Sequence, residues 1–137
     1  MSDTFDSKFG QVVEVPFQHS NATTTEANVD MTLGIGTLWV APFAGSVIGL
    51  TAIANAAITA GTITLKPHKA GTEYAETGTP APVLSSAAQS SQVTVRPNAL
   101  TFAAGDTLGI SYSTTTTLNP TNTLDMDACL LVQLDPS

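Results

Sequence analysis

The stretch "FAAGDTLGI", residues 102–110, sets an aromatic, two small residues, a glycine and an aspartate ahead of an alternating apolar run. A second stretch, "FAGSVIGL" at residues 43–50, has nearly the same order. Glycine loops of this kind either cradle a phosphate or turn the chain into a strand. A phosphate cradle leads into a helix and commonly carries a lysine. Neither "GDTLGI" nor "GSVIGL" offers these. Gly105-Asp106 suits a turn instead, because glycine accepts positive φ and aspartate bonds to nearby backbone. Gly45-Ser46 reads the same way, and Phe43 and Phe102 then become inward aromatics ahead of strands.

Alternation carries this reading outward. "TLGISYS" (107–113) puts Leu108, Ile110 and Tyr112 on one face and Thr107, Gly109, Ser111 and Ser113 on the other. "LGIGTLW" (33–39) aligns Leu33, Ile35, Thr37 and Trp39. "TITL" aligns Ile63 with Leu65, "QVTV" aligns Val93 with Val95, and "ACLLVQL" aligns Ala128, Leu130, Val132 and Leu134. In "SVIGLTAIA" (46–54), Val47 and Ile53 point one way and Ile48 and Leu50 the other, so both faces are apolar and one wants a partner. With "VVEVPF" and "LTF", these make about eight short strands between turn-forming clusters, the pattern of an all-β sandwich or small barrel.

A chain of 137 residues is a single-domain length. Charged residues make up 11 %, about half the usual share, so the surface is polar mainly through hydroxyls. The net charge is −7, and Lys8, Lys66, Lys69 and Arg96 are scattered. Phosphate neutralisation needs clustered cations, so no nucleic-acid partner is expected. Residues 31–65 carry no charge and could span a bilayer by length, but Pro42, Gly45, Gly49 and Asn55 interrupt any helix there. No membrane partner is expected. "MSDTFDSKFG" lacks a signal-peptide pattern, so synthesis in a cytoplasm is expected. Cys129 has no partner for a disulfide and reads as a small buried thiol.

Chemistry is thin. His19 and His68 read as exposed loop residues without metal-ligand spacing. Asp125 and Asp127 share one side of an extended segment, but two carboxylates make a poor cation site. Glu73 and Glu76 flank Tyr74 with no group to raise a carboxyl pKa, and no G-x-S-x-G elbow occurs. No enzymatic activity, cofactor or metal is therefore expected. A sugar-binding module would instead draw on Tyr74, Trp39 or "STTTTLNPTNT" (113–123).

Two longer runs, "APFAGSVIGLTAIANAAITAGTITLKPHKAGT" and "VTVRPNALTFAAGDTLGISYSTTTTLNPTNTLDMDACLLVQL", are similar to small β-sandwich virion proteins of tailed bacteriophages, the head decoration or cement proteins and related tail-associated domains. The resemblance covers residues 38–134. It implies a jelly-roll-like antiparallel sandwich that sits as a homotrimer on the capsid surface of the virion, bound to the major capsid protein. The alternative within the same resemblance is a tail-associated receptor- or carbohydrate-binding module.

Residues 1–30 depart from the sandwich rhythm, and the domain is expected over 31–137. "QHSNATTTEANVD" (18–30) is polar and lacks a core face. Ahead of it, Phe5, Phe9, Val13, Val15 and Phe17 form an apolar ladder that needs a surface to lie on. They are the candidate partner-binding residues of an N-terminal docking arm. The ladder could equally complete the chain's own sandwich, complete a neighbour's, or augment a sheet edge of the shell.

Overall fold

The structure, a computed structural model, describes residues 11–69, 72–73 (backbone only), 81–96 and 98–135. These residues hold eleven strands and no helix: β1 (Gln11–Ala22), β2 (Val29–Asp30), β3 (Trp39–Val40), β4 (Gly45–Ala54), β5 (Ile63–Lys69), β6 (Thr72–Glu73), β7 (Val83–Leu84), β8 (Ser90–Thr94), β9 (Leu100–Phe102), β10 (Thr107–Thr114) and β11 (Leu124–Leu134). All pairings are antiparallel. One sheet runs β1-β11-β4, with β8 and β9 both against the far side of β4. The other has β2 and β3 along β10, then β5, then β6 and β7 along β5.

Each of those short pairs is one edge strand broken in the middle. Counting each pair once leaves eight positions, four per sheet, ordered 1-8-3-6 and 2-7-4-5 along the chain. That winding is a jelly roll, two interlocked Greek keys. Inward residues of both sheets form a single core in which Leu50, Leu130 and Val132 meet Ile63, Leu65, Leu108 and Ile110, all fully buried.

The turn at 103–106 forms as its residues dictate. Gly105 has φ +88°, Asp106 N–H donates to Ala103 O (3.1 Å), and the Asp106 carboxylate accepts from Ala103 N–H (2.8 Å). β10 follows at once with Leu108, Ile110 and Tyr112 inward. The parallel reading of Gly45 differs. Its φ is not positive; it is a glycine because a Cβ there would run into the Gln133 carbonyl of β11. Phe102 is buried edge-on to Trp39 (6.3 Å between ring centres), whereas Phe43 lies 56 % exposed.

Two strand readings are corrected by backbone geometry. In β4 a bulge opposite Leu131–Val132 leaves Ile48 without a partner on β11. Val47 and Leu50 both reach the core, while Ile48 and Ile53 turn outward, because one extra residue reverses the alternation. "LGIGTLW" is not one strand. Leu33 and Gly36 exchange backbone hydrogen bonds (2.7 and 3.1 Å) around Gly34 at φ +64°, a two-residue reversal that puts Ile35 at its tip. Glycine at the first central position is what such a turn requires.

The expected boundary at residue 30 also moves. β1 pairs with β11 from Gln11↔Leu134 to His19↔Met126, and Val15, Phe17 and Ala22 enter the core. Polar side chains at 18, 20 and 21 face solvent from a strand that is buried on one side only, which is why the stretch looked coreless. Residues 11–30 thus belong to the sandwich, and of the expected arm only 1–10 lie outside the described residues.

Candidate interaction surfaces

At the end of the sandwich where β1 turns into β2, a polar clasp ties the two sheets together. The hydroxyl of buried Tyr112 donates to Glu26 Oε1 (2.7 Å) and lies 2.7 Å from His19 Nε2. With its one proton given to the carboxylate, the hydroxyl accepts from His19, which places a proton on Nε2. Thr23 N–H adds a second bond to Glu26 Oε1 (2.8 Å). Burial, then the hydrogen bond and charge of Glu26, push the Tyr112 phenol far above its ordinary pKa of 10.0. A raised folded-state value stabilises the fold below the unfolded tyrosine pKa and loses that contribution as pH climbs beyond it. An alkaline titration of tyrosinate absorbance is expected to show Tyr112 ionising only together with unfolding. Tyr112→Phe should remove that unfolding step from the high-pH limb.

His68 is likewise not an exposed loop residue. It sits on the outer face of β5, 3 % exposed, with Nε2 3.3 Å from Asp30 Oδ1 but without the alignment of a hydrogen bond. Its ring lies over Gly109, where a Cβ would come within 2.6 Å of His68 Cε1 and 2.9 Å of Thr37 O. Gly109 therefore lets His68 and the 30–37 segment close over β10. Asp125 is also structural, since Oδ1 accepts Asn21 N–H (3.0 Å). Among the described residues no group of three metal-ligating side chains occurs, and there is no helix long and apolar enough to cross a membrane.

The outer face of the β1-β11-β4-β8 sheet forms a groove of about 850 Å³. Strand register lays two outward rows across its floor, Gln18-Asp127-Ile53-Ser90 and Pro16-Cys129-Thr51-Gln92. Leu33 and Gly34 wall one end. Cys129, expected in the core, is half-buried here; burial and the neighbouring Glu14 push its thiol up, so it stays protonated at neutral pH. The groove has amides, hydroxyls and one carboxylate but no exposed aromatic ring, the platform a sugar stacks on.

A second surface is apolar. Seven large hydrophobic side chains are exposed among the described residues, and four of them, Ile35 (109 %), Leu38, Val40 and Phe43, fall within nine positions. Fully covering one such side chain is worth about 1.5–3 kcal/mol. Alternation points Ile35 inward, and the aromatic-turn pattern shared with Phe102 points Phe43 inward. The two-residue turn and the Pro42-Phe43 corner override both.

Of the ladder residues, Phe5 and Phe9 lie outside the described residues. Val13 is half-buried, and Val15 and Phe17 are each 2 % exposed within the chain's own core. The last two therefore cannot meet a partner while the fold is intact. What β1 offers instead is an edge. Gln18 exchanges backbone hydrogen bonds with Thr32 (2.9 and 2.8 Å) on the side away from β11. Backbone groups alternate in direction along a strand, so Val12, Glu14 and Pro16 face that same open side. Pro16 has no N–H to give, a common way of blunting an edge. Val12 and Glu14 each carry a donor and an acceptor on this side, and no backbone group among the described residues pairs with them there.

The fold is similar to that of a chain in the cyanophage Pam1 capsid asymmetric unit, with a TM-score of 0.53 and 15 % sequence identity over 92 % of this chain and 86 % of that one. At this identity the likeness is one of fold. No protein-family model matches the sequence, and no curated protein does either.

Proposed function

We propose that this protein is a structural component of a phage virion, a decoration protein that binds the assembled major capsid protein lattice from outside, as a homotrimer, and stabilises it. The observation that carries the reading is the likeness to a chain of a capsid asymmetric unit over 92 % of this chain and 86 % of that one. Exposed apolar side chains and an open strand edge give it two ways of meeting other proteins. We assign it no catalysis, cofactor, nucleic-acid or membrane contact. Residues 1–10, with Phe5 and Phe9, are the docking segment in this proposal, adding to an edge of the shell by strand pairing. The second reading, a carbohydrate-binding module, rests on the amides and hydroxyls that line the groove and is weakened by the lack of an exposed ring there among the described residues.

Adding the purified protein to undecorated phage heads is expected to give saturable binding and to raise the temperature at which the heads burst, because a ligand of the assembled state shifts the equilibrium toward it. A titratable glycan-array signal with no head binding would replace this reading with the second.

A further inference from the structure

We infer that the open edge of β1 at Val12 and Glu14 takes up an extended, lysine- or arginine-bearing segment of another protein as an added antiparallel strand. This goes beyond the proposed function, in which residues 1–10 reach out to the shell; here a strand comes to this chain.

The backbone fixes what kind of ligand fits. β1 is the end strand of its sheet, with Val13, Val15 and Phe17 turning their N–H and C=O groups to β11. Those of Val12 and Glu14 face the other way, as those of Gln18 do where they bond Thr32. Two donor–acceptor pairs ~6.8 Å apart, two strand rises, are matched by another extended chain. Pro16 and the Gln18–Thr32 bonds close the edge beyond, so the site is short, spanning Val12, Val13 and Glu14. Val13 is only half-buried although it packs against the core. An apolar residue laid opposite it would complete that burial.

Charge selects the chain. Strands β1, β11, β4 and β8 carry no lysine or arginine. Exposed carboxylates stand on this sheet instead: Glu14 at the edge itself, Asp127 one strand in beside Gln18, Asp125 in β11 and Asp135 just past its end. In an antiparallel addition the side chain opposite Glu14 lies on the same face as the carboxylate and within its reach, so a cation is favoured there. Val12, 58 % exposed, lies on that face two residues away and favours an apolar neighbour. A second copy of this chain is a poorer match. Pairing β1 with β1 would set two Glu14 carboxylates on one short row of a protein whose net charge is −7.

The test is amide NMR on the full chain with two synthetic peptides, acetyl-Thr-Lys-Val-Val-Thr-amide and the same peptide with Glu in place of Lys. In the protein alone, the Val12 and Glu14 amides are expected to exchange with solvent faster than those of Val13 and Val15, which face β11. The lysine peptide should shift the Val12 and Glu14 amides saturably and bind about fivefold more tightly than the glutamate peptide. Glu14→Lys should reverse that preference. Val12→Pro removes an open-side N–H, leaves the bonds to β11 in place and should weaken both peptides. Circular dichroism checks that each variant keeps its β spectrum; if the proline disturbs folding, the reversal in Glu14→Lys decides alone. Slow exchange at Val12 and Glu14 in the protein alone would overturn the inference, because the edge would already be filled by the chain's own first residues or by a second copy. Equal binding of the two peptides, shifts confined to other strands, or no binding of either would overturn it as well. A protein that takes the lysine peptide but ignores phage heads would leave the inference standing and remove the proposed function.

Discussion

Phe17→Ala is expected to destabilise the protein by about 3–5 kcal/mol, the range for truncating a buried aromatic. That is a large part of the ~5–15 kcal/mol available to a domain of this size. Phe17 is 2 % exposed, sits opposite Ala128 on β11, and belongs to the same cluster as Val15 and Ala22. β1 is an edge strand with a single long partner, so the pocket left by the ring would be shut only by shifting β1, and with it the Gln18–Thr32 bonds to the neighbouring sheet's connection. Urea or guanidinium unfolding measures the loss directly. A change under about 1 kcal/mol would mean that β1 contributes little to the core and that the arm reading of residues 11–30 was the better one. Val12→Ala, at a site 58 % exposed on the same strand, is the control and should have little effect.

The all-β class and the run from Phe102 through β10 were legible because there each residue type has one good use. Glycine turns, aspartate caps the turn, and a period of two sets the faces. Legibility failed where one signal has two physical meanings. Glycines alternating with apolar residues describe a strand in "TLGIS" and a reversal in "LGIGT"; only the backbone hydrogen bonds between Leu33 and Gly36 distinguish them. The bulge at Ile48 is set by the register against β11, a long-range pairing with no local sign. "QHSNA" reads as polar because β1 buries one face only, and in this stretch the inward residues are His19, half-buried, and, past a register shift, Ala22. The clasp of His19, Glu26 and Tyr112 joins residues up to 93 positions apart, so nothing in the neighbourhood of either histidine announced it. Surfaces were the least legible of all. Exposure of Ile35 and Phe43 is a property of corners in the chain, and hydrophobicity alone points such residues inward.

Deleting residues 1–10 is expected to leave a folded, self-associating protein whose hold on the phage head falls by at least tenfold per arm. The fold should survive because pairing of β1 with β11 begins at Gln11↔Leu134 and the first fully buried side chain of the described residues is Val15. Docking should suffer because the segment leads straight into the half of β1 whose edge is open at Val12 and Glu14, and it brings Phe5 and Phe9, two apolar anchors in an otherwise polar stretch. A tenfold loss corresponds to about 1.4 kcal/mol. If three arms of a trimer engage one lattice site together, the losses multiply, and roughly three times that, about 4 kcal/mol, separates the full chain from the truncated one. Binding isotherms on undecorated heads, read beside circular dichroism and sedimentation of the same samples, separate the outcomes. Equal affinity of the two proteins would end the arm hypothesis. A truncated chain that fails to fold would place the first ten residues in the core, with Phe5 and Phe9 completing the sandwich. Intermediate loss with a salt dependence would point to Asp3, Asp6 and Lys8 as the contacts, since apolar anchoring by Phe5 and Phe9 is insensitive to screening.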